Sequence, residues 1–334
     1  MKTENDKNCQ QQQSFPKDPL SLENRGAMIV SITCILLGLG GKCLLDWVLV
    51  FLQRTHICQG FLGVFALSLA VVDTVLTLFV ATLHAHGYVA LPGLTLTRYH
   101  ACLLVQIFGQ ICSALQWPVA FVAGLDHFSM VTRSQPVAGR ARSVVWVLVT
   151  GLLWYLAAVY VFLLSDFTPV MEDVPHNRIS QCWVFPNTQT LQVSAVLLLT
   201  LGCGAWRAGR GALLSSDVPG KGPITDERKA PSRRDVAHQA VHAFLDTWAP
   251  FLLFLAVLFL LPVGLPAHLC LNTGWLCFLN SLLIATVLCA VCPVSWITQG
   301  PAAVPPDSFS EWRFRFVLRT EGERHRANTE LEAH

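Results

Sequence analysis

The sequence predicts an all-α fold: a bundle of seven transmembrane helices, N-terminus outside and C-terminus in the cytosol. Three observations predict it. The chain is 53% hydrophobic and only 13% charged, where a soluble domain carries about 25% charged residues. Its apolar residues gather into seven runs, each near the ~20 residues that cross a bilayer as a helix: about 27–51, 60–83, 101–130, 143–164, 188–206, 240–261 and 271–297. Its cations are unevenly shared. Of 23 Lys and Arg, six (Lys2, Lys7, Lys17, Arg25, Arg98 and Arg178) fall in the N-terminal tail and the second, fourth and sixth connections. Lys42 lies inside the first run, and the other sixteen occupy the remaining connections and the C-terminal tail. Excess Lys and Arg mark the cytosolic side. The layout is an extracellular tail (1–26), the bundle (27–297) and a cytosolic tail (298–334).

The N-terminal tail is polar and Gln-rich, without the basic-then-apolar order of a cleaved signal peptide. The first run therefore reads as an uncleaved anchor. It carries Gly41-Lys42 and Asp46. In the second run Asp73 is the only charge between Phe61 and Leu83. An acid at the bilayer centre costs from ~2.5 to over 10 kcal/mol, so Asp73 is expected to face the protein interior and to have a partner. The third run is long, is interrupted by Gln106, Gln110 and Gln116, and closes on Asp126-His127. The fifth is diluted by Gly202, Gly204 and Arg207, which leaves six spans as the alternative. The connection 209–235 is rich in Pro and Gly and reads as a flexible segment.

In the sixth run Pro250 removes a backbone hydrogen bond and kinks the helix. Phe244 and Trp248 are four residues apart and share one face. They form either a hinge with an aromatic switch or plain packing around a kink. Asp246 is unusual there, and the sequence identifies no interior partner for it. His84, His86 and His100 near the first outer connection form a loose pattern that favours solvated histidines over a zinc site. Cys289 and Cys292 read either as palmitoylation sites or as buried thiols. The tail segment Trp312-Arg-Phe-Arg-Phe316 reads as an interfacial or an unstructured stretch. No extracellular Asn-x-Ser/Thr sequon is present.

Several function classes are disfavoured. The net charge of +2 does not point to nucleic acid. There is no internal repeat for an inverted-repeat transporter, no Lys in the seventh run for a retinal pump, and no His-Glu-x-x-His or nucleophile–base set for an intramembrane enzyme. Neither a metal nor a cofactor is expected.

Specific residues then carry a resemblance. Leu69-Ala-Val-Val-Asp73 lies in the second run. Cys102 opens the third, and Asp126-His127-Phe128 follows 24 residues later. Trp154 sits in the middle of the fourth and Cys182 in the connection after it. Phe244-Leu-Asp-Thr-Trp248-Ala-Pro250 lies in the sixth and Asn280-Ser-Leu-Leu-Ile284 in the seventh. In this order the chain resembles the rhodopsin-like G-protein-coupled receptors over about residues 27–297. Their second helix carries Leu-Ala-x-x-Asp, their third Asp-Arg-Tyr, their sixth Phe-x-x-Cys-Trp-x-Pro and their seventh Asn-Pro-x-x-Tyr.

The resemblance implies a multi-pass receptor of the plasma membrane, with an extracellular ligand and a heterotrimeric G protein as partners. It implies a Cys102–Cys182 disulfide, against two unpaired thiols as the alternative. It also implies a buried polar core of Lys42, Asp73 and Asn280, and a sixth-helix switch of Phe244, Trp248 and Pro250. Asp126, His127 and Arg133 would face the transducer, against the alternative of polar side chains that merely meet solvent. Lys42 stands where the family places Asn, beside an Asp that commonly holds sodium there. Three arrangements are open for it: a pair with Asp73 that replaces the ion, a pair with Asp46 along its own helix, or snorkelling to the cytosolic surface. Gly109 stands where amine receptors carry an Asp, so a peptide or a lipid ligand is expected ahead of an amine. His127 replaces the family's Arg, and Ser281 and Ile284 replace its seventh-helix Pro and Tyr. These departures fall on positions of activation and coupling. They keep a second reading open, a receptor-fold scaffold or heteromer partner with little coupling.

Overall fold

The computed structural model describes residues 28–52, 60–91, 94–132, 139–165, 181–215, 233–260 and 265–291. Seven long helices make the bundle: α1 Ile32–Leu52, α2 Phe61–His86, α3 Arg98–Thr132, α4 Gly139–Val159, α5 Gln189–Ser215, α6 Arg233–Leu260 and α7 Thr273–Val291. A π-helical turn, Tyr160–Leu164, extends α4. Five of the helices are long and apolar enough to cross a membrane, and α6 and α7 contribute shorter apolar stretches, Phe244–Leu260 and Thr273–Val287. The protein is a seven-helix membrane bundle.

The outward faces are apolar, as a lipid-facing surface requires. Leu37, Leu52, Leu163, Phe259 and Leu260 are all more than 70% exposed. Several polar side chains that the hydrocarbon would leave unpaired find partners within the helices or between them. Ser68, Thr74, Thr77 and Thr82 donate to carbonyls one turn back on α2. The Trp154 indole on α4 reaches Ser68 Oγ and the Trp47 indole on α1 reaches Thr74 Oγ1. α2 ends on Gly87, whose φ of 77° closes a left-handed cap with its N–H on the Leu83 carbonyl. α3 and α7 lie centrally: α3 touches α2, α4, α5 and α7, and α7 touches α1, α2, α3, α5 and α6.

Among the described residues six short strands decorate the bundle: β1 Met28–Ser31, β2 Tyr88–Leu91, β3 Leu94–Thr97, β4 Gln181–Val184, β5 Pro186–Asn187 and β6 Leu265–Pro266. They pair antiparallel as β1–β4, β2–β3 and β5–β6. The first membrane helix therefore starts later than the apolar run does. Met28–Ser31 is strand, and the Ser31 hydroxyl accepts the Cys34 N–H as an N-cap.

The seventh span also departs from the apolar run. A one-turn helix, Ala267–Cys270, precedes α7, and the chain is extended at Leu271 before α7 begins at Thr273. Asn272 caps α7, accepting the Trp275 N–H on Oδ1 at 2.8 Å. The start of α7 lies against Asp46, the fifteenth residue of α1. That is about 21 Å below the outer end of α1 at 1.5 Å rise per residue. We call residues 265–272 the deep turn.

Candidate functional site

The polar core is built where the deep turn meets α1 and α2. Lys42 Nζ donates to Asp73 Oδ1 at 2.8 Å and to the His268 carbonyl at 3.1 Å. Its ammonium also sits 5.1 Å from the centre of the Phe108 ring on α3, a cation–π distance. Of the three arrangements open to Lys42, the structure adopts the one with Asp73. Asp46 takes a different partner: its Oδ1 accepts the Thr273 N–H at 2.7 Å, at the N-terminus of α7. A carboxylate there is favoured by the helix dipole. Lys42, Asp46 and Asp73 are all buried. Close packing holds the turn in place. A Cβ on Gly38 would touch Leu269, and one on Gly109 would stand 3.0 Å from Ala267 Cβ and 3.2 Å from His268 N.

Above this core the outer half is filled by the chain itself. Cys102 at the top of α3 is bonded to Cys182 in β4, and Cys182 is paired in register with Val30 of β1. The glutamines that interrupt the third run become anchors for this layer. Gln106 Nε2 donates to the Trp183 carbonyl and Gln116 Nε2 to Thr190 Oγ1. Asn187 Nδ2 donates to Ser113 Oγ, while its Oδ1 accepts the Gln189 N–H and caps α5. The Ala267 N–H reaches the Phe185 carbonyl at 3.0 Å, so the second outer connection and the deep turn are stitched together.

Below the deep turn the aromatic residues gather on α7. Phe244 and Trp248 pack on Phe278 with ring centres 5.8 and 5.4 Å away, and Phe251 packs on it at 4.8 Å. Pro250 lies inside α6 on its exposed side. Asp246 has no place in this interior: it is half-exposed and paired with His242 Nδ1 one turn earlier at 3.0 Å. The face of α6 that carries Phe244 and Trp248 turns Asp246 outward.

At the cytosolic end Asp126 and His127 are both buried. Asp126 Oδ2 accepts the Phe61 N–H at 2.9 Å and so caps α2, while Oδ1 accepts from Arg142 Nη2 at 2.7 Å. His127 Nε2 pairs with Asn280 Oδ1 at 2.8 Å, linking α3 to α7. With the amide oxygen as acceptor, Nε2 carries the hydrogen. Asn280 thus takes part in this cytosolic pair. Arg133, Cys292 and residues 312–316 lie outside the described residues. Cys289 is buried. His84 pairs with Thr33 and His100 with Thr97, and among the described residues no cluster of His, Cys, Asp or Glu is arranged to hold a metal ion.

The sequence reading did not foresee Asp46 as a cap for α7, Arg142 as the partner of Asp126, or the deep turn. The breakers Pro262, Pro266 and Asn272 ahead of the seventh run were the available signal. A disulfide from α3 to the second outer connection, a polar core on the second helix and an aromatic cluster on the sixth, in a seven-helix bundle, describe a multi-pass protein of the plasma membrane, and the chain is similar to proteins of the G-protein-coupled receptor class. Within that class it is 28% identical over 329 residues to the probable G-protein coupled receptor 160 of Rattus norvegicus, covering 93% of each chain. It is 27% identical to the Mus musculus protein of that name, again over 93% of each chain. With the Homo sapiens one it shares 26% over 84% of this chain and 86% of the other. No family model and no solved structure matches.

Proposed function

We propose that this receptor senses a peptide or lipid ligand at its outer layer and passes the signal inward through the deep turn. One observation carries the reading: a single continuous segment, 265–272, is stitched to the outer connection at Phe185, packed on Gly109, bonded to Lys42, and followed directly by α7. A ligand that shifts the outer layer therefore pulls on α7, whose inner half holds the His127–Asn280 bond. An amine ligand is disfavoured because the Gly109 position, where amine receptors place their acid, is packed against Ala267. The transducer side would be a heterotrimeric G protein, with Asp126, His127 and Arg133 at that end.

A second reading is favoured by a different observation. His127 is buried and engaged with Asn280, so this position offers no permanently charged group to a transducer. On that reading the protein is a receptor-fold scaffold or heteromer partner.

The test is Gly109→Val in transfected cells. The added side chain has no room beside Ala267 and must displace the deep turn. We expect altered ligand-independent signalling at equal surface expression. Basal signal at empty-vector background for both wild type and variant, across all G-protein families, favours the scaffold.

A further inference from the structure

Three ionisable side chains meet where the deep turn joins α7, and their charges do not balance. Lys42 brings one positive charge; Asp46 and Asp73 bring two acids. The Asp46 and Asp73 side chains meet each other directly. Asp73 Oδ1 is taken by Lys42 Nζ and Asp46 Oδ1 by the Thr273 N–H. The remaining oxygen of each, Asp46 Oδ2 and Asp73 Oδ2, is buried without any hydrogen-bond donor. Among the described residues, the ionisable and ring groups around the two acids are few. On α1 the only other charge is Lys42. From α3 come the Phe108 ring and the Cys112 thiol. From the deep turn come the His268 ring, whose residue already gives its carbonyl to Lys42, and the Cys270 thiol. None of them supplies a second cation.

Two ionised carboxyls in contact at a site closed to water repel strongly, and such pairs hold one proton between them. A single hydrogen placed here gives the pair the donor it lacks. It also leaves a neutral group of one ammonium, one carboxylate and one carboxylic acid. We propose that Asp46 and Asp73 share one proton, and that this shared proton is a built-in part of the junction between α1, α2 and α7. The proton is taken from solvent and returns to it on release, with no other bond made or broken. Its loss leaves a buried negative charge beside Thr273, at the hydrogen bond by which α1 caps the start of α7.

The sign of the pH effect follows. In the folded pair a proton is bound that the same carboxyls of an unfolded chain have lost by neutral pH. Folding therefore takes up a proton, and stability falls as pH rises until the pair ionises. One proton corresponds to roughly 2–4 °C in melting temperature per pH unit.

Two measurements on the full-length detergent-purified protein test this. Infrared spectroscopy should show the C=O band of a protonated carboxyl that shifts in D2O and is lost in both Asp46→Asn and Asp73→Asn. Neither substitution touches Asp126, so any contribution from it is the same in all three proteins. Asp46→Asn keeps an oxygen for Thr273 and supplies an N–H toward Asp73. It should therefore melt no lower than wild type at neutral pH, and its melting temperature should lose the wild type's dependence on pH. A band that survives both substitutions, or the same pH slope in wild type and Asp46→Asn, overturns the proposal. So does a melting temperature that rises with sodium but not with choline chloride, which would put a metal cation in place of the proton.

Discussion

Lys42 is the residue on which the interior depends. Among the described residues it is the only cation that Asp73 and Asp46 meet, and it also ties α1 to the deep turn through the His268 carbonyl. Removing one partner of a buried ion pair costs about 3–5 kcal/mol because the other charge is left uncompensated. In an isolated pair, Lys42→Met and Asp73→Asn would cost alike. Here the site holds two acids, so Asp73→Asn still leaves Asp46 to balance the ammonium, whereas Lys42→Met leaves two acids and no cation. We expect Lys42→Met to lower the melting temperature of the purified receptor clearly more than Asp73→Asn. Equal losses would remove Asp46 from the charge balance. The sequence brought Lys42 within three alternatives, since an isolated Lys and an isolated Asp in adjacent apolar runs seek each other. It could not place Asp46, because the partner is a main-chain N–H 227 residues away, and no side-chain pattern encodes a backbone donor.

At the scale of elements, the seven helices were legible as apolar runs, because the bilayer demands length and hydropathy whatever the tertiary contacts. The layer above them was not. Strands of two to four residues carry no period long enough to read. The deep turn is set by where it packs, against Gly38, Gly109 and Asp46, and not by its own propensities. The Cys102–Cys182 bond closes this layer onto α3, with both cysteines buried. A disulfide of this kind contributes about 2–4 kcal/mol. Cys102→Ser and Cys182→Ser should each reduce surface expression, and the double variant should be no worse than either single one. Peptide mapping under non-reducing conditions that recovers both thiols free would contradict the bond.

At the scale of the whole molecule, the bundle is tied at both faces: outside by the disulfide and the stitched turn, inside by two contacts on α3. Asp126 joins α3 to α2 and α4 through Phe61 and Arg142. His127 joins it to α7 through Asn280. The orientation that places these contacts in the cytosol rests on the loop cations. Epitope tags on intact cells should accordingly be reachable at the N-terminus and hidden at the C-terminus.

If the signal reaches the cytosol by parting α3 from α7, the His127–Asn280 bond is the contact to break. A neutral imidazole fits that buried place, and an arginine does not. The guanidinium is larger, always charged, and costly to bury without a carboxylate. In His127→Arg the side chain should leave Asn280 and turn to Asp126 or to the cytosol. The lost bond costs about 1 kcal/mol, small enough to keep the receptor folded, and it frees the inner end of α7. Basal coupling should then rise in cells at matched surface expression, in at least one G-protein family. Unchanged basal coupling in His127→Arg, with the Gly109→Val variant also silent, would mean that the two faces of the bundle are not connected to a transducer.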